Sequence, residues 1–508
     1  MATFEELLAD SLERATQAAH DHIVQSGELS RTDRERLVRS GWLTPVIRAW
    51  YILGHPEGRG ETTQWYASYW TFMARYLAGR FGTQYCLSAE SSLDFHLDRN
   101  TVPKQLVVIA GKGGSSRIDL PHETSLFTWQ GELPAERETQ YGIQVMPLPL
   151  ALCRVSPALF VHEAMKAEIA LRLVAATDIA RILIEGGHTR VAGRLVGAYR
   201  FLGDEAAAET IAGNMSAIGY RIREENPFAS AQPLFGSKPM RLKSPYAARI
   251  EAMWKQMRED VLSHFPEAPG ITHDSSTYLK KVEDLYKHDA YHSLSIEGYQ
   301  VTPELIEQIR TGQWNPDTIE ADTDQRNAMA AKGYLSAFNT VCDSIKKLFE
   351  GKPAGEIVEQ DIQGWYRALF SPSVQAGLIR AADLVGYRND QVYIRGAAHV
   401  PPPSGALPDS MEALFKCLKE EPEPAVRAVL GHFIFVFIHP YMDGNGRIGR
   451  FLMNLMLASG GYRWIVIRSN RPRRDKYMQA LEQASTEQNI VDFSEFIAEE
   501  MVVDWTVI

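Results

Sequence analysis

Cysteine is scarce in this chain: Cys86, Cys153, Cys342 and Cys417 lie far apart and without C-x-x-C spacing, which argues against a disulfide framework and a thiolate zinc site. Long apolar runs are missing too, and nothing approaches the roughly 18 residues of a membrane-spanning helix. A surplus of positive charge is also absent. The net charge of −10 gives no general attraction to nucleic acid. The opening Met-Ala-Thr-Phe-Glu-Glu is acidic and amphipathic, unlike a secretory leader. What remains is ordinary globular composition, 45% apolar and 23% charged, over 508 residues, enough for two to four domains. The expectation is a cytoplasmic protein without a membrane partner.

One stretch is far from ordinary. His439-Pro-Tyr-Met-Asp-Gly-Asn-Gly-Arg-Ile-Gly-Arg450 follows the apolar run Phe433–Ile438 and precedes Ile448, Phe451, Leu452 and Leu455, spaced as one face of a helix. The loop therefore opens onto a helix start, where unpaired N–H groups and about half a positive charge attract anions. Gly444 and Gly446 let a phosphate approach the backbone. Arg447 and Arg450, one turn apart, can grip further phosphate oxygens. Asp443 offers a hard oxygen to Mg²⁺, and His439 can take a proton near neutral pH.

These twelve positions resemble the signature of the Fic proteins (filamentation induced by cAMP), HPF-x-[D/E]-GNGR-x-x-R, with Tyr441 in place of Phe. Upstream, Ser293-Leu-Ser-Ile-Glu297-Gly298 is similar to that family's inhibitory pattern, [S/T]-x-x-x-E-[G/N]. The resemblance implies an all-helical core with a β-hairpin flap, and transfer of AMP from ATP to a Ser, Thr or Tyr hydroxyl of a protein target. His439 would be the base and Asp443 the Mg²⁺ ligand. Gly444, Asn445, Gly446 and Arg447 would hold the phosphates. Arg450 would orient the γ-phosphate or pair with Glu297, supported by Ser293 and Gly298. The stretch 386–396 reads as a hairpin, and Val392, Tyr393 and Ile394 would be its target-binding edge. Tyr477 is the candidate for a base or ribose contact, with core packing as the competing reading.

The chain is expected to be mainly α. Residues 4–20 and 32–40 read as helices, and 42–53 as a hairpin, the skeleton of a winged helix; eight Arg face four acidic residues between Arg31 and Arg80. This part is similar to the winged-helix region of abortive-infection antitoxins, which would make DNA a partner; a scaffold that binds protein or nothing is the alternative. Gly111–Ser116 lacks the order of a phosphate loop and reads as a hairpin turn. The expected divisions are 1–150 (α+β), 151–225 (helical bundle), 226–245 (a linker with four prolines between Pro227 and Pro245) and 246–508 (Fic core with its inhibitory helix). Removal of AMP, transfer of another nucleotidyl group, and a DNA-binding regulator that senses nucleotide stay open as alternatives. So does pairing with a second copy.

Overall fold

The computed structural model describes residues 3–55, 63–98, 101–230, 232–271, 274–314, 322–503 and 505. The chain divides into two compact units. One comprises residues 1–245 with 393–400, the other 246–392 with 401–508.

The first unit begins with α1 (Phe4–Ala18), β1 (Ile23–Gln25), a 3-10 turn, α2 (Arg31–Ser40), β2 (Leu43–Ile47) and β3 (Trp50–Leu53), the strands pairing in the order β1-β3-β2. Helix α1 starts with a capping box between Thr3 and Glu6. Ser30 caps α2, and Gly41 ends it in the left-handed conformation. Pro45, which has no N–H for a ladder, sits on the edge strand where the register shifts.

Next come α3 (Thr63–Phe81), β4 (Tyr85–Leu87), α4 (Ala89–Asp98), β5 (Gln105–Ala110), β6 (Ser116–Asp119), β7 (Ser125–Gln130), β8 (Glu138–Gln140) and β9 (Ile143–Val145). The 111–115 connection is not a hairpin turn. The sheet order is β4-β5-β7-β6, with β7 parallel to β5 and inserted between it and β6. The apolar strand β5 is better placed between two partners, whereas β6 has the alternating exposure of an edge.

Helices α5 (Leu148–Arg154), α6 (Leu159–His162), α7 (Ala164–Leu173), α8 (Ala176–Gly186), α9 (Thr189–Phe201) and α10 (Glu205–Ala217) complete the unit. The proline-bearing stretch after them is docked rather than free. Buried Glu168 accepts from the N–H groups of Leu234 and Phe235 at 2.7 and 3.0 Å. Arg172 donates to the carbonyls of Gly236 and Lys238 at 2.8 and 3.0 Å.

The second unit is helical: α11 (Pro245–His264), α12 (Ser275–Ile296), α13 (Pro303–Arg310), α14 (Asp322–Phe349), α15 (Ala354–Gln375), α16 (Leu407–Glu420), α17 (Pro424–Ile438), α18 (Asn445–Ala458), α19 (Arg471–Thr486) and α20 (Val491–Met501). Among the described residues, no helix is long and apolar enough to cross a membrane. Helices α17 and α18 form its centre. Gly431 allows their close approach, since a Cβ there would press on Leu452 and Leu418. Helix α18 is buried all round, Arg447, Arg450 and Asn454 included. The single apolar face expected from its sequence understates it, because both arginines lie inside.

The hairpin expected over 386–396 is not formed. No residue there lies in a strand, and Gly386 and Gly396 turn the chain at positive φ. Arg388 and Gln391 do the work of a ladder, donating to backbone carbonyls that include those of Pro402 and Pro401. Three consecutive prolines supply no N–H for a returning strand. Val392, Tyr393 and Ile394 thus lie in no strand, and residues 393–400 belong with the first unit, where His399 bridges Thr101.

Candidate active site

His439 terminates α17 with φ 52° and ψ 60°, a left-handed conformation that non-glycine residues seldom adopt. Two contacts hold it there. Its N–H donates to the carbonyl of Phe435 at 3.0 Å, and its own carbonyl accepts from Arg388 Nε at 2.8 Å. Its Nδ1 lies 3.1 Å from the carbonyl of Val436. A carbonyl only accepts, so Nδ1 carries the proton and Nε2 keeps its lone pair. Burial, reinforced by the Arg388 charge, lowers the pKa to about 4, against the opposing pull of Val436, Glu297 and Asp443. The ring is therefore neutral at pH 7, the form a base requires.

The turn from His439 to α18 is pinned from inside. Asn445, 1% exposed, accepts from the N–H of Tyr441 at 3.0 Å and donates to its carbonyl at 2.8 Å. Expected as a phosphate contact, Asn445 has both ends of its amide engaged and positions the loop instead. Tyr441 stacks on Tyr366 with centroids 3.8 Å apart, and its buried hydroxyl has no hydrogen-bond partner among the described residues. Gly444 caps α18 at φ 82°, where a Cβ would also strike Phe370 and Leu369. The first intrahelical bond runs from the N–H of Ile448 to the carbonyl of Gly444 at 3.0 Å. The N–H groups of Asn445, Gly446 and Arg447 precede it and form the anion-attracting end of the helix.

Both arginines are nearly sealed, at 1% and 3% exposure for Arg447 and Arg450. Arg450 donates through Nε to the Ser293 hydroxyl at 2.9 Å, and through Nη2 to the Ser293 carbonyl at 3.1 Å and to Glu297 Oε1 at 2.7 Å. Burial opposes its charge, but Glu297 beside it leaves its proton held more tightly than an ordinary arginine's. Helix α12 ends at Ile296, with Glu297 as its cap and Gly298 at φ 85° turning the chain away. The carboxylate thereby reaches the start of α18, where a Cβ on Gly446 would overlap Glu297 Oε1. An acidic group already occupies the hollow that the glycines open.

Asp443 accepts from the N–H of Gly444 at 2.6 Å and from Arg447 Nη2 at 3.1 Å, yet its side chain is 55% exposed. Among the described residues, no group of three or more His, Cys, Asp or Glu could cage a metal. A single exposed carboxylate beside a phosphate hollow suits Mg²⁺, whose remaining ligands are water and substrate phosphates.

Tyr477 sits in the core beside Arg450. It is 1% exposed, packed among His432, Phe493 and Phe496, with its hydroxyl 2.8 Å from His432 Nε2. The core reading of this aromatic is the one the geometry favours. Sequence reasoning missed Arg388, which braces His439 from a segment read as a polar turn, and Tyr299, which touches both Asp443 and Arg447. No local pattern marked Arg388; Tyr299 could have been noticed because it directly follows Glu297-Gly298.

Residues 356–457 match the model of the Fic/DOC family. Among curated relatives, protein adenylyltransferase Fic of Drosophila erecta is 29% identical over 251 residues, covering 48% of this chain and 46% of that protein. A probable protein adenylyltransferase of Aquifex aeolicus is 29% identical over 171 residues, covering 33% of this chain and 49% of that protein. The chain thus spans about half the length of the relatives it matches. The solved structure of Fic-1 from C. elegans aligns at 17% identity and a TM-score of 0.37, covering 64% of this chain and 84% of that one.

Proposed function

For a chain that carries a Fic/DOC-family domain at residues 356–457, we propose the activity of a protein adenylyltransferase restrained by its own Glu297. One observation carries the reading: a neutral imidazole with Nε2 free stands on the loop that opens an anion-binding helix start, and a removable carboxylate is seated in that start. His439 Nε2 accepts the proton of a Ser, Thr or Tyr hydroxyl of the target. The hydroxyl oxygen attacks the α-phosphorus of ATP, the bond to the bridging oxygen breaks, and pyrophosphate leaves. The N–H groups at the start of α18 hold phosphate oxygens, and Arg447 and Arg450 balance charge on the departing group. Asp443 would hold Mg²⁺, which neutralises phosphate charge when bound. Arg388 and Asn445 fix the loop so that the base does not wander.

Glu297 restrains this by pairing with Arg450 and placing negative charge where the terminal phosphate must lie. Misplacing the triphosphate in this way costs about a hundredfold in rate without loss of binding. Incubating the wild type and Glu297→Gly with Mg²⁺ and each α-labelled nucleoside triphosphate, alone and with cell lysate, tests the reading. Labelling from ATP should rise by roughly that hundredfold in the variant. Equal or lower labelling defeats it. Removal of AMP from a target is the reverse possibility; there Glu297 would activate water, so the same variant would lose removal while gaining addition.

The DNA reading rests on less. The order of helices and strands up to β3, with sheet order β1-β3-β2, supports a winged-helix reading. Arg31 and Arg39 of α2 are exposed, but Arg34 and Arg36 turn inward to Ser26 and to Leu7 and Ser11. A gel shift that weakens with salt would support DNA contact, and one absent at low salt would end it. The four cysteines are free and buried, which supports a reducing, cytosolic setting.

A further inference from the structure

Glu297 and Ser293 hold Arg450 through Nε and Nη2 but leave the other motif arginine unexplained. Arg447 should grip phosphate, yet it is 1% exposed and its Nε has no hydrogen-bond partner among the described residues. Its guanidinium lies between two rings, 5.0 Å from the centroid of Tyr299 and 5.2 Å from that of Phe370. Phe370 belongs to α15 and forms the floor; Tyr299 comes from the turn after α12 and forms the roof.

The roof also reaches the metal ligand. The Tyr299 hydroxyl donates to Asp443 Oδ2 across 3.4 Å and accepts from Arg447 Nη2 across 3.5 Å, while Arg447 Nη2 reaches Asp443 Oδ2 directly at 3.1 Å. The Tyr299 hydroxyl, Asp443 Oδ2 and Arg447 Nη2 thus engage one another, an arrangement that competes with a triphosphate and its cation for the same atoms. Behind them lies a cavity of about 320 Å³, lined by Tyr299, Phe370, Ser373, Asp443 and Arg447 among others. That volume is in the range of small-ligand sites, and displacing the ring would uncover more of Arg447, which already lines it.

The turn that bears Tyr299 is built as an arm. Gly298, at φ 85°, has open space where a Cβ would sit. The N–H of Tyr299 donates to the carbonyl of Leu294 at 3.1 Å, and the N–H of Gln300 donates to Asn327 Oδ1 at 3.2 Å. Glu297 and Tyr299 therefore flank Gly298 and engage Arg450 and the Arg447–Asp443 pair respectively.

Resting on the transferase reading, we infer that Tyr299 is a second arm of the same restraint: a positioning residue that latches Arg447 and Asp443 away from Mg²⁺-bound triphosphate. Glu297 misdirects the terminal phosphate, whereas Tyr299 withholds the cation site and the second phosphate grip. The two arms are separable. Loss of Glu297 corrects the pose, and loss of Tyr299 tightens binding.

Calorimetry with Mg²⁺·ATP tests this on the full chain, comparing wild type, Tyr299→Phe, Tyr299→Ala and Glu297→Gly. Breaking one cation–π stack and two long hydrogen bonds predicts about three- to tenfold tighter binding for Tyr299→Ala. Tyr299→Phe, which keeps the roof and the fold, should gain about two- to threefold. The Mg²⁺ concentration needed for half-saturation should fall in the same order. Affinity unchanged or weakened in both Tyr299 variants overturns the latch, even if Glu297→Gly transfers AMP. Tighter binding in the Tyr299 variants, with no AMP transfer by Glu297→Gly, would instead keep the latch and remove the transferase reading. No binding of Mg²⁺·ATP by any variant removes both.

Discussion

Two arginine-bearing helices in this chain use the same side chain in opposite ways. Helix α2 carries Arg31, Arg34, Arg36 and Arg39 near the surface, and three of them bond within their own neighbourhood: Arg31 to Glu35 at 2.7 Å, Arg34 to the Ser26 carbonyl at 2.7 Å, Arg36 to the Ser11 hydroxyl at 2.5 Å. These contacts stitch α2 to α1 and the adjoining turn. Helix α18 carries only two arginines, both buried, and their partners Glu297 and Asp443 stay 24% and 55% exposed. The difference is in the partner. A buried cation without a counter-charge is costly, so Arg447 and Arg450 need anions at all times. When those anions sit on solvent-reachable side chains, a phosphate can replace them. Counting arginines would have favoured α2; asking which anion could be exchanged favours α18.

The sharpest way to break that contrast lies at the base beside α18. His439→Ala should reduce AMP transfer by about 10²–10⁴-fold while Mg²⁺·ATP still binds. Unchanged labelling would leave α18 as a mere nucleotide sensor. The same residue makes a pH prediction. Because burial lowers the His439 pKa to about 4, the base stays neutral as acid is added, and transfer by Glu297→Gly should survive at pH 5.5. Removing Glu297 removes a charge that raises this pKa, so the acid limb shifts lower still. An acid limb centred near 6.5, the ordinary histidine value, would contradict the burial.

Next in size, Arg450→Ala should lower kcat/KM for ATP by about a hundredfold, whereas Arg36→Ala should leave transfer untouched. Loss of transfer in the second variant would mean that the two helices are not independent in function. Smaller again, Asp33→Ala should destabilise the first unit by about 1–3 kcal/mol in denaturant melts. Buried Asp33 receives hydrogen bonds from Ser11, Ser30 and Arg14 at 2.7, 2.6 and 2.7 Å. No loss of stability would show that the arginine contacts of this unit are incidental. The smallest effect is expected at Tyr441→Phe. Deleting a buried hydroxyl without a partner should stabilise the second unit by about 1 kcal/mol and keep the stack on Tyr366; a destabilised variant would mean that the hydroxyl serves the site.

Helix ends were the most legible part of the fold, because capping is a local matter. Ser30 and Gly41 around α2, Thr302 before α13 and Gly298 after α12 all behave as their residue types suggest. Strand pairing was less so. Both β6 and the 386–396 stretch alternate like hairpin arms, but the partner of a strand is chosen by segments distant in sequence. In one case β7 took the place beside β5, and in the other the following three prolines supply no N–H for a ladder.

The order His439, Asp443, Gly444, Gly446, Arg447, Arg450 is enough by itself to propose an anion-attracting helix start beside a proton acceptor. Each of those roles depends on residue type and on spacing within two turns of chain, and both are local properties. Tertiary structure alone decided three further matters: that Asn445 and Tyr477 face inward, that Arg388 crosses from residue 388 to hold the His439 carbonyl, and that the turn after α12 lays Glu297 and Tyr299 on the two arginines. These depend on which surfaces meet when helices far apart in sequence bury their apolar faces together, and that geometry is set by the core as a whole.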